Sequence, residues 1–274
     1  MIAIVTDSTA YLTKKEAKEL GVRVVPMTYT VSGHIFNESF ADQNGSFERL
    51  IFHNLGRCTT SQAPISAFMS TFEELRRKHC QVFCIVMSSR LSGTYSSASI
   101  AAREVDRDNI MVLDSLTTAG GLTMLVRRAR ELIDEGHSLQ EVTRIMEETR
   151  DRVGIAFSVD SMDALRRSGR LSVVRQSVGT ILNIRPILLC EDGGIVSHSV
   201  VRGRSEQIRE LVARIPQNAI KVIVHRLGEK INLDVLIATI KSRFPGVPIE
   251  QRPVGPVLAI HLGQGVVGIT WMSG

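Results

Sequence analysis

The residues of this chain best equipped for chemistry lie between Val82 and Ala102, in the stretch VFCIVMSSRLSGTYSSASIAA. An apolar run of strand length, Val82 to Met87, meets a Ser- and Gly-rich turn, Ser88 to Gly93, and a small-residue helix begins after it. The first N–H groups of a helix have no intrahelical partner, and the macrodipole places partial positive charge there. The hydroxyls of Ser88, Ser89, Ser92 and Thr94 add donors that need no ionisable group. Together they can hold a carboxylate or phosphate oxygen. Ser and Thr also cap helices with no ligand present, and this stretch alone favours that plainer role.

Similar polar turns recur. Three apolar runs end in Asp-Ser (IVTDS at Asp7, MVLDS at Asp114, FSVDS at Asp160), and TTSQ at Thr59 to Gln62 precedes another helix. In an open parallel sheet such turns collect at the carboxyl ends of the strands, where ligands bind. Asp-Ser is also an ordinary helix-capping pair, so a polar rim is expected without a function being implied by it. The other familiar chemistries are missing. There is no HExxH, paired-His spacing or Cys/His cluster for a metal, and no Walker A cradle for a nucleotide. GxSxG is absent too, and no base and orienting acid can be assigned to the many serines. The chain offers donors for an anion and no evident nucleophile.

Stepping outward, the elements that must position these turns alternate strand and helix through the first half. Strands are expected at Ile2–Thr6, Val22–Val31, Val82–Met87 and Ile110–Leu113, with Ser32-Gly33 turning the second into a hairpin with Ile35–Asn37. Helices are expected near Lys14–Leu20, Ser46–Leu55, Pro64–Arg77 and Ala119–Glu135, and from a Ser138/Glu141 capping box to Arg152. The turn Cys58–Ala63 lies between them. This alternation predicts a parallel sheet with helices on both faces. From Val153 the pattern changes. A strand at Ile155–Val159 leads to helical segments Met162–Arg167 and Val173–Leu182, then to a hairpin of Ile187–Leu189 with Ile195–Val201. Helices at Ser205–Ile215 and Asn232–Phe244 and strands at Ile220–Val224, Val247–Gln251, Val257–His261 and Val266–Trp271 complete a second, α+β unit. The expected domains are 1–153 and 154–274.

Bulk composition narrows the partners. The net charge of +5 is spread along the chain and only 5% of residues are aromatic, so no nucleic-acid surface is expected. Cys58, Cys80, Cys84 and Cys190 have no CxxC spacing and lie mostly in apolar runs, which suits reduced core thiols in a cytoplasmic protein. The N-terminal MIAIVTDSTAYL meets Asp7 too soon for a signal peptide, and the uncharged Pro253–Gly274 carries too much Pro, Gly, His and Gln for a spanning helix. That segment reads as two short strands around a glycine turn.

Several short motifs, taken as an ordered set, resemble the DegV family of fatty-acid-binding proteins, which includes the binding subunits of bacterial fatty acid kinase. They are DST at Asp7 to Thr9, TSQ at Thr60 to Gln62, SSRLSGTY at Ser88 to Tyr95 and LDS at Leu113 to Ser115. SGRLS at Ser168 to Ser172 and GPVLAIHLGQG at Gly255 to Gly265 complete the set. The resemblance implies two α/β lobes, an N-terminal parallel-sheet lobe and a C-terminal α+β lobe, with a long-chain fatty acid between them and no cofactor. It implies that the carboxylate is held by Thr60 or Ser61, by Ser92 with the Gly93 amide, and by His261. In the kinase-binding members a partner fatty acid kinase converts the carboxylate to an acyl phosphate for phospholipid synthesis, with an acyltransferase at the membrane surface next in line. The arginines implicated in that step correspond here to Arg170, with Arg202 and Arg204 as companions. Two positions depart from the family pattern: the glycine pair usual before the arginine is Ser168-Gly169 here, and Gln264 replaces the proline of a GPG turn. The resemblance implies a non-enzymatic carrier. The alternatives are a lipid-sensing regulator and a small-molecule phosphotransferase or hydrolase built on the Ser/Thr rim.

Overall fold

The computed structural model describes residues 1–38, 40–173, 184–228 and 232–274. The first half runs β1 (Ile2–Asp7), α1 (Lys14–Glu19), β2 (Val22–Val25), β3 (Thr28–Val31), β4 (His34–Asn37) and α2 (Phe47–His53). It continues through β5 (Cys58–Ser61), α3 (Ile65–Arg77), β6 (Gln81–Val86), α4 (Thr94–Asp106), β7 (Ile110–Asp114), α5 (Ala119–Asp134) and α6 (Leu139–Arg150). Strands β2, β1, β6 and β7, in that order, form an all-parallel sheet. The apolar residues of β6 are buried on both sides, as parallel strands under helices require. The Ser138/Glu141 capping box at α6 is present as read, its serine hydroxyl accepting from Glu141 N.

Two sequence expectations fail here for local reasons. The run Val22–Val31 is not one strand. Pro26 has no N–H for a ladder, and the chain breaks there, giving β2 to the parallel sheet and β3 to a separate antiparallel sheet of order β4-β3-β5. The Ser32-Gly33 hairpin survives, with φ of 48° and 86°. The expected polar turn at Cys58 is β5, an edge strand whose β-branched Thr59 and Thr60 pair with Thr30 and Tyr29.

The second half comprises β8 (Val153–Ser158), α7 (Asp163–Ser168), β9 (Leu171–Val173), β10 (Ile184–Glu191), β11 (Gly194–Arg202) and α8 (Gly203–Ala213). It ends with β12 (Ala219–Leu227), α9 (Asp234–Arg243), β13 (Ile249–Pro253), α10 (Pro256–Leu262) and β14 (Val266–Ser273). Its strands form a mixed sheet of order β13-β12-β14-β8-β10-β11-β9. The helix expected over Val173–Leu182 lies outside the described residues but for Val173, which ends β9. The expected strand Val257–His261 is instead α10. A short apolar run is ambiguous between strand and helix, and Pro256 at the first helical position with Gly263 at φ 73° after the last decides for helix.

Helix α5 explains how the halves join. Its first turns are buried all round, because it lies between the parallel sheet and the mixed sheet and touches strands of both. On the other face of the mixed sheet, α8 and α9 close a second core around Leu211, Val222, Leu236, Ile240 and Ile269. Helix α10 crosses back to pack on α2, β3 and β5. An ion network fastens the same seam: Arg127 meets Glu16 at 2.6 Å and Glu250 at 2.7 Å, and Arg252 bonds Glu16 and the Tyr11 carbonyl. Partial burial opposes ionisation of Glu16, yet Arg252 and Arg127 hold its pKa at about 2.

Candidate functional site

Between the mixed sheet and the turns of the first half lies a cavity of about 360 Å³. Its floor is the inward face of the mixed sheet. Ile195, Cys190, Ile155 and Thr270 form one row of cross-strand neighbours, and Phe157 and Gly268 belong to the next. Along β14 the lining residues Val266, Gly268 and Thr270 alternate, as the pleat dictates. One end of the cavity is polar and reaches the surface, where Ser61 and Gln62 are exposed and Thr60, Ser92, Gly93, Arg170 and His261 half-buried. The other end is closed, with Thr118, His225 and Thr270 buried.

The polar end is assembled from four elements of different parts of the chain. β5 supplies Thr60, the turn before α4 supplies Ser92 and Gly93, the segment after α7 supplies Arg170, and α10 supplies His261. Thr60 Oγ1 and His261 Nε2 are 2.7 Å apart, while His261 Nδ1 is buried without a hydrogen-bond partner among the described residues. Burial, with the charge of Arg170 adding to it, pushes the His261 pKa down to about 4, so the ring is neutral near pH 7. A neutral imidazole with one unused nitrogen can serve a ligand oxygen directly or through water. Gln62 donates to Ser97 Oγ at 2.8 Å and lies over Gly93 so closely that any Cβ there would overlap its amide. Arg170 donates to the Leu91 and Ser168 carbonyls, which fixes its guanidinium at the cavity wall.

The hydroxyls of the SSRLSGT turn also have architectural duties. Ser88 donates to the Gly193 carbonyl across the seam at 2.7 Å, and Ser92 and Thr94 bond each other at 2.9 Å. Asp7 accepts from Met87 N and from Thr9, and Asp114 accepts from Ser89 N and Leu116 N. These two Asp-Ser carboxylates therefore shape the turn. The third, Asp160, follows β8 of the mixed sheet and pairs with Arg185. Arg202 and Arg204 stand at the junction of β11 and α8, outside the cavity lining, and Arg204 donates to Gln207 at 3.0 Å. Both departures from the family pattern are accommodated: Gly169, not Ser168, takes the positive φ of 68°, and Gln264 is an exposed residue between Gly263 and Gly265.

Sequence reading missed four residues. His225 occurs in an apolar strand, IKVIVHRL, where a polar residue on the inward face was the available signal. Thr118 and Thr270 give no sequence signal beyond the small Ala-Gly-Gly that follows Thr118 and marks a close approach. Glu38 is 1% exposed, accepts from Ser8 Oγ at 2.6 Å and from Val257 N at 3.0 Å, and so ties α10 to the first lobe. Burial raises its pKa to about 7. Among the described residues, no group of three or more His, Cys, Asp or Glu could hold a metal, and no helix is long and apolar enough to cross a membrane.

Comparison with known proteins places this geometry in a family. A DegV domain-containing protein of Halalkalibacterium halodurans is 35% identical over 276 residues, spanning 98% of each chain. Protein DegV of Bacillus subtilis is 31% identical over 278 residues, again with 98% of each chain covered. The crystal structure of DegV from Bacillus subtilis, described as a fatty acid binding protein, superposes with a TM-score of 0.85 at 29% identity, covering 100% of this chain and 99% of its own. A DegV family protein from Thermus thermophilus, reported for its fatty acid binding, has a TM-score of 0.85 at 28% identity with the same coverage. A family model described as "Uncharacterised protein, DegV family" matches residues 1–274, and the chain belongs to that family.

Proposed function

We propose that this protein binds one long-chain fatty acid in the cavity, its carboxylate among Thr60, Ser61, Ser92, the Gly93 amide and His261, and its tail over the mixed sheet. The carrying observation is the buried Nδ1 of His261, without a partner among the described residues, at the polar end of a cavity whose middle is largely apolar. A buried polar atom without a partner is unfavourable, and a carboxylate oxygen or its bound water supplies one. The fatty acid binding reported for the Bacillus subtilis and Thermus thermophilus relatives supports the same reading.

Magnitudes divide the labour. At about 0.8 kcal/mol per buried methylene, a dozen contribute on the order of 10 kcal/mol gross. A charge-assisted hydrogen bond contributes roughly 1.5–3 kcal/mol net. The tail therefore dominates affinity, while the polar end fixes orientation and selects a carboxylate. Neutral donors hold a carboxylate without locking it, which suits a head group that is to be modified. In the finer form of this proposal the protein is a carrier subunit acting with a separate fatty acid kinase. The carboxylate oxygen attacks the terminal phosphorus of ATP on the partner, the bond to ADP breaks, and an acyl phosphate leaves for phospholipid synthesis. Arg170, at the cavity wall, is placed to steady the added phosphoryl charge, and Arg202 and Arg204 offer a surface for the partner. Residues 1–153 and 154–274 are the proposed lobes.

The double substitution T60A/S92A tests the head-group assignment. Fatty acid affinity should fall by roughly tenfold or more with the fold intact, in line with the loss of one or two hydrogen bonds. Unchanged affinity would refute it. Arg170→Ala should slow phosphorylation by the kinase far more than it weakens lipid binding. A loss of lipid binding as large as that of phosphorylation would make Arg170 a carboxylate ligand instead.

A further inference from the structure

The closed end of the cavity carries hydroxyl groups that carboxylate binding does not use. Thr118 is the N-cap residue of the 16-residue α5, yet its side chain makes no capping hydrogen bond. Another strand supplies the missing acceptor: His225 Nε2 takes the Gly120 N–H at 3.1 Å. An accepting Nε2 carries no proton, so Nδ1 holds it and donates to the Arg252 carbonyl at 3.2 Å. His225 thus has no capacity left for a ligand, and Thr118 is released from the role an N-cap threonine usually plays. Gly120 permits the arrangement, since a Cβ there would stand 2.5 Å from His225 Nε2 and 3.0 Å from Thr270 Oγ1.

Two threonines of the cavity lining keep buried hydroxyls with nothing to bond. Thr118 is 9% exposed and Thr270 0%, both line the cavity, and neither Oγ1 has a hydrogen-bond partner among the described residues. Their distance from the polar end follows from the sheet register. Leu171, next to Arg170, pairs with Ile195; Ile195 pairs with Cys190, Cys190 with Ile155, and Ile155 with Thr270. Three strand spacings separate Ile195 from Thr270, roughly 14 Å. An unsubstituted alkyl chain filling that end would leave both hydroxyls unsatisfied, whereas an alcohol on the chain both donates and accepts and can serve the pair.

We propose that Thr118 and Thr270 form a hydroxyl-recognition site in the distal half of the cavity, so that the protein selects long-chain fatty acids hydroxylated along the alkyl chain. This rests on the reading of the cavity as a fatty acid site. A site built to hydrogen-bond a ligand hydroxyl discriminates against the analogue that lacks it. The test compares binding of stearate, 10-hydroxystearate and 12-hydroxystearate by calorimetry to the full-length protein and to its Thr118→Val and Thr270→Val variants. At least one hydroxy acid should bind about tenfold or more tightly than stearate to the unaltered protein, and each substitution should shrink that preference while sparing stearate. Equal or tighter binding of stearate by the unaltered protein overturns the proposal, whether or not the variants fold. So does a preference that persists in both folded variants. If none of the three acids binds, the fatty acid reading itself has failed.

Discussion

The cavity has a histidine at each end, and the two differ in what they have left to give. Burial pushes both pKa values down to about 4, so both rings are neutral near pH 7. His225 sits inside the nine-residue β12, paired on either side by β13 and β14, and both its nitrogens are engaged by backbone groups. His261 rides on the seven-residue α10, shares one nitrogen with Thr60 and leaves the other without a partner among the described residues. Residue type and charge state are the same at both ends. Spare hydrogen-bonding capacity is what separates a structural histidine from one that awaits a ligand.

Deleting the two rings should break the molecule in different ways. His225→Ala opens a buried space and orphans the Gly120 N–H and the Arg252 carbonyl, at an expected cost of about 2–4 kcal/mol of stability in chemical denaturation. His261→Ala should cost under about 1 kcal/mol by the same measurement, with its loss seen in fatty acid affinity. Equal destabilisation by the two changes would erase the distinction.

Titration sharpens it next. In the free protein, the unfolded state takes up protons at both histidines below their ordinary value of 6.5, and the folded state does so only near 4. The histidine contribution to stability is therefore intact above pH 6.5 and is lost as pH falls towards 4. A bound carboxylate should raise the His261 pKa by roughly 1–3 units and leave that of His225 in place, as NMR titration of the two rings would show. A shift at His225 instead would put the carboxylate at the wrong end. Glu38 works with the opposite sign: its pKa is raised from 4.5 to about 7, so its contribution is complete below pH 4.5 and lost as pH rises through 7. Glu38→Gln should remove that alkaline limb from the melting-temperature profile and leave the histidine limb untouched.

The smallest expected contrast lies in two glycines. Gly120→Ala presses on a fully engaged His225 and should cost roughly 1–3 kcal/mol, whereas Gly93→Ala need only swing the exposed Gln62 side chain aside and should cost less than about 1 kcal/mol. The Gly93 variant should nevertheless bind fatty acid more weakly, because Gln62 moves into the carboxylate end. Thermal melts with and without added oleate separate the two effects.

The sequence made the polar end far more legible than the closed one. Thr60, Ser92 and His261 lie in short motifs whose order matches the DegV family, and all three line the one cavity. Local patterns also announced the parallel strand β6, whose apolar run is buried on both faces, and the capping box of α6. What was lost depended on long-range pairing. Pro26 decides where a β-branched run divides between two sheets, and the apolar PVLAIHL, held to helix by Pro256 and Gly263 at its ends, packs as α10 across the seam on β3 and β5. Thr118, Thr270 and His225 come together from three elements far apart in the chain, and no local spacing can encode such a meeting. The same holds for Glu38, whose partners Ser8 and Val257 are 30 and 219 residues away.

The central claim, that the cavity holds a long-chain fatty acid, is tested most directly on purified protein that is denatured and extracted with organic solvent. Mass spectrometry of the extract should find a long-chain fatty acid at about one per chain, or the emptied and refolded protein should take up one equivalent of oleate or palmitate. An extract without fatty acid, from protein that also fails to bind either acid when it is supplied, would contradict the account.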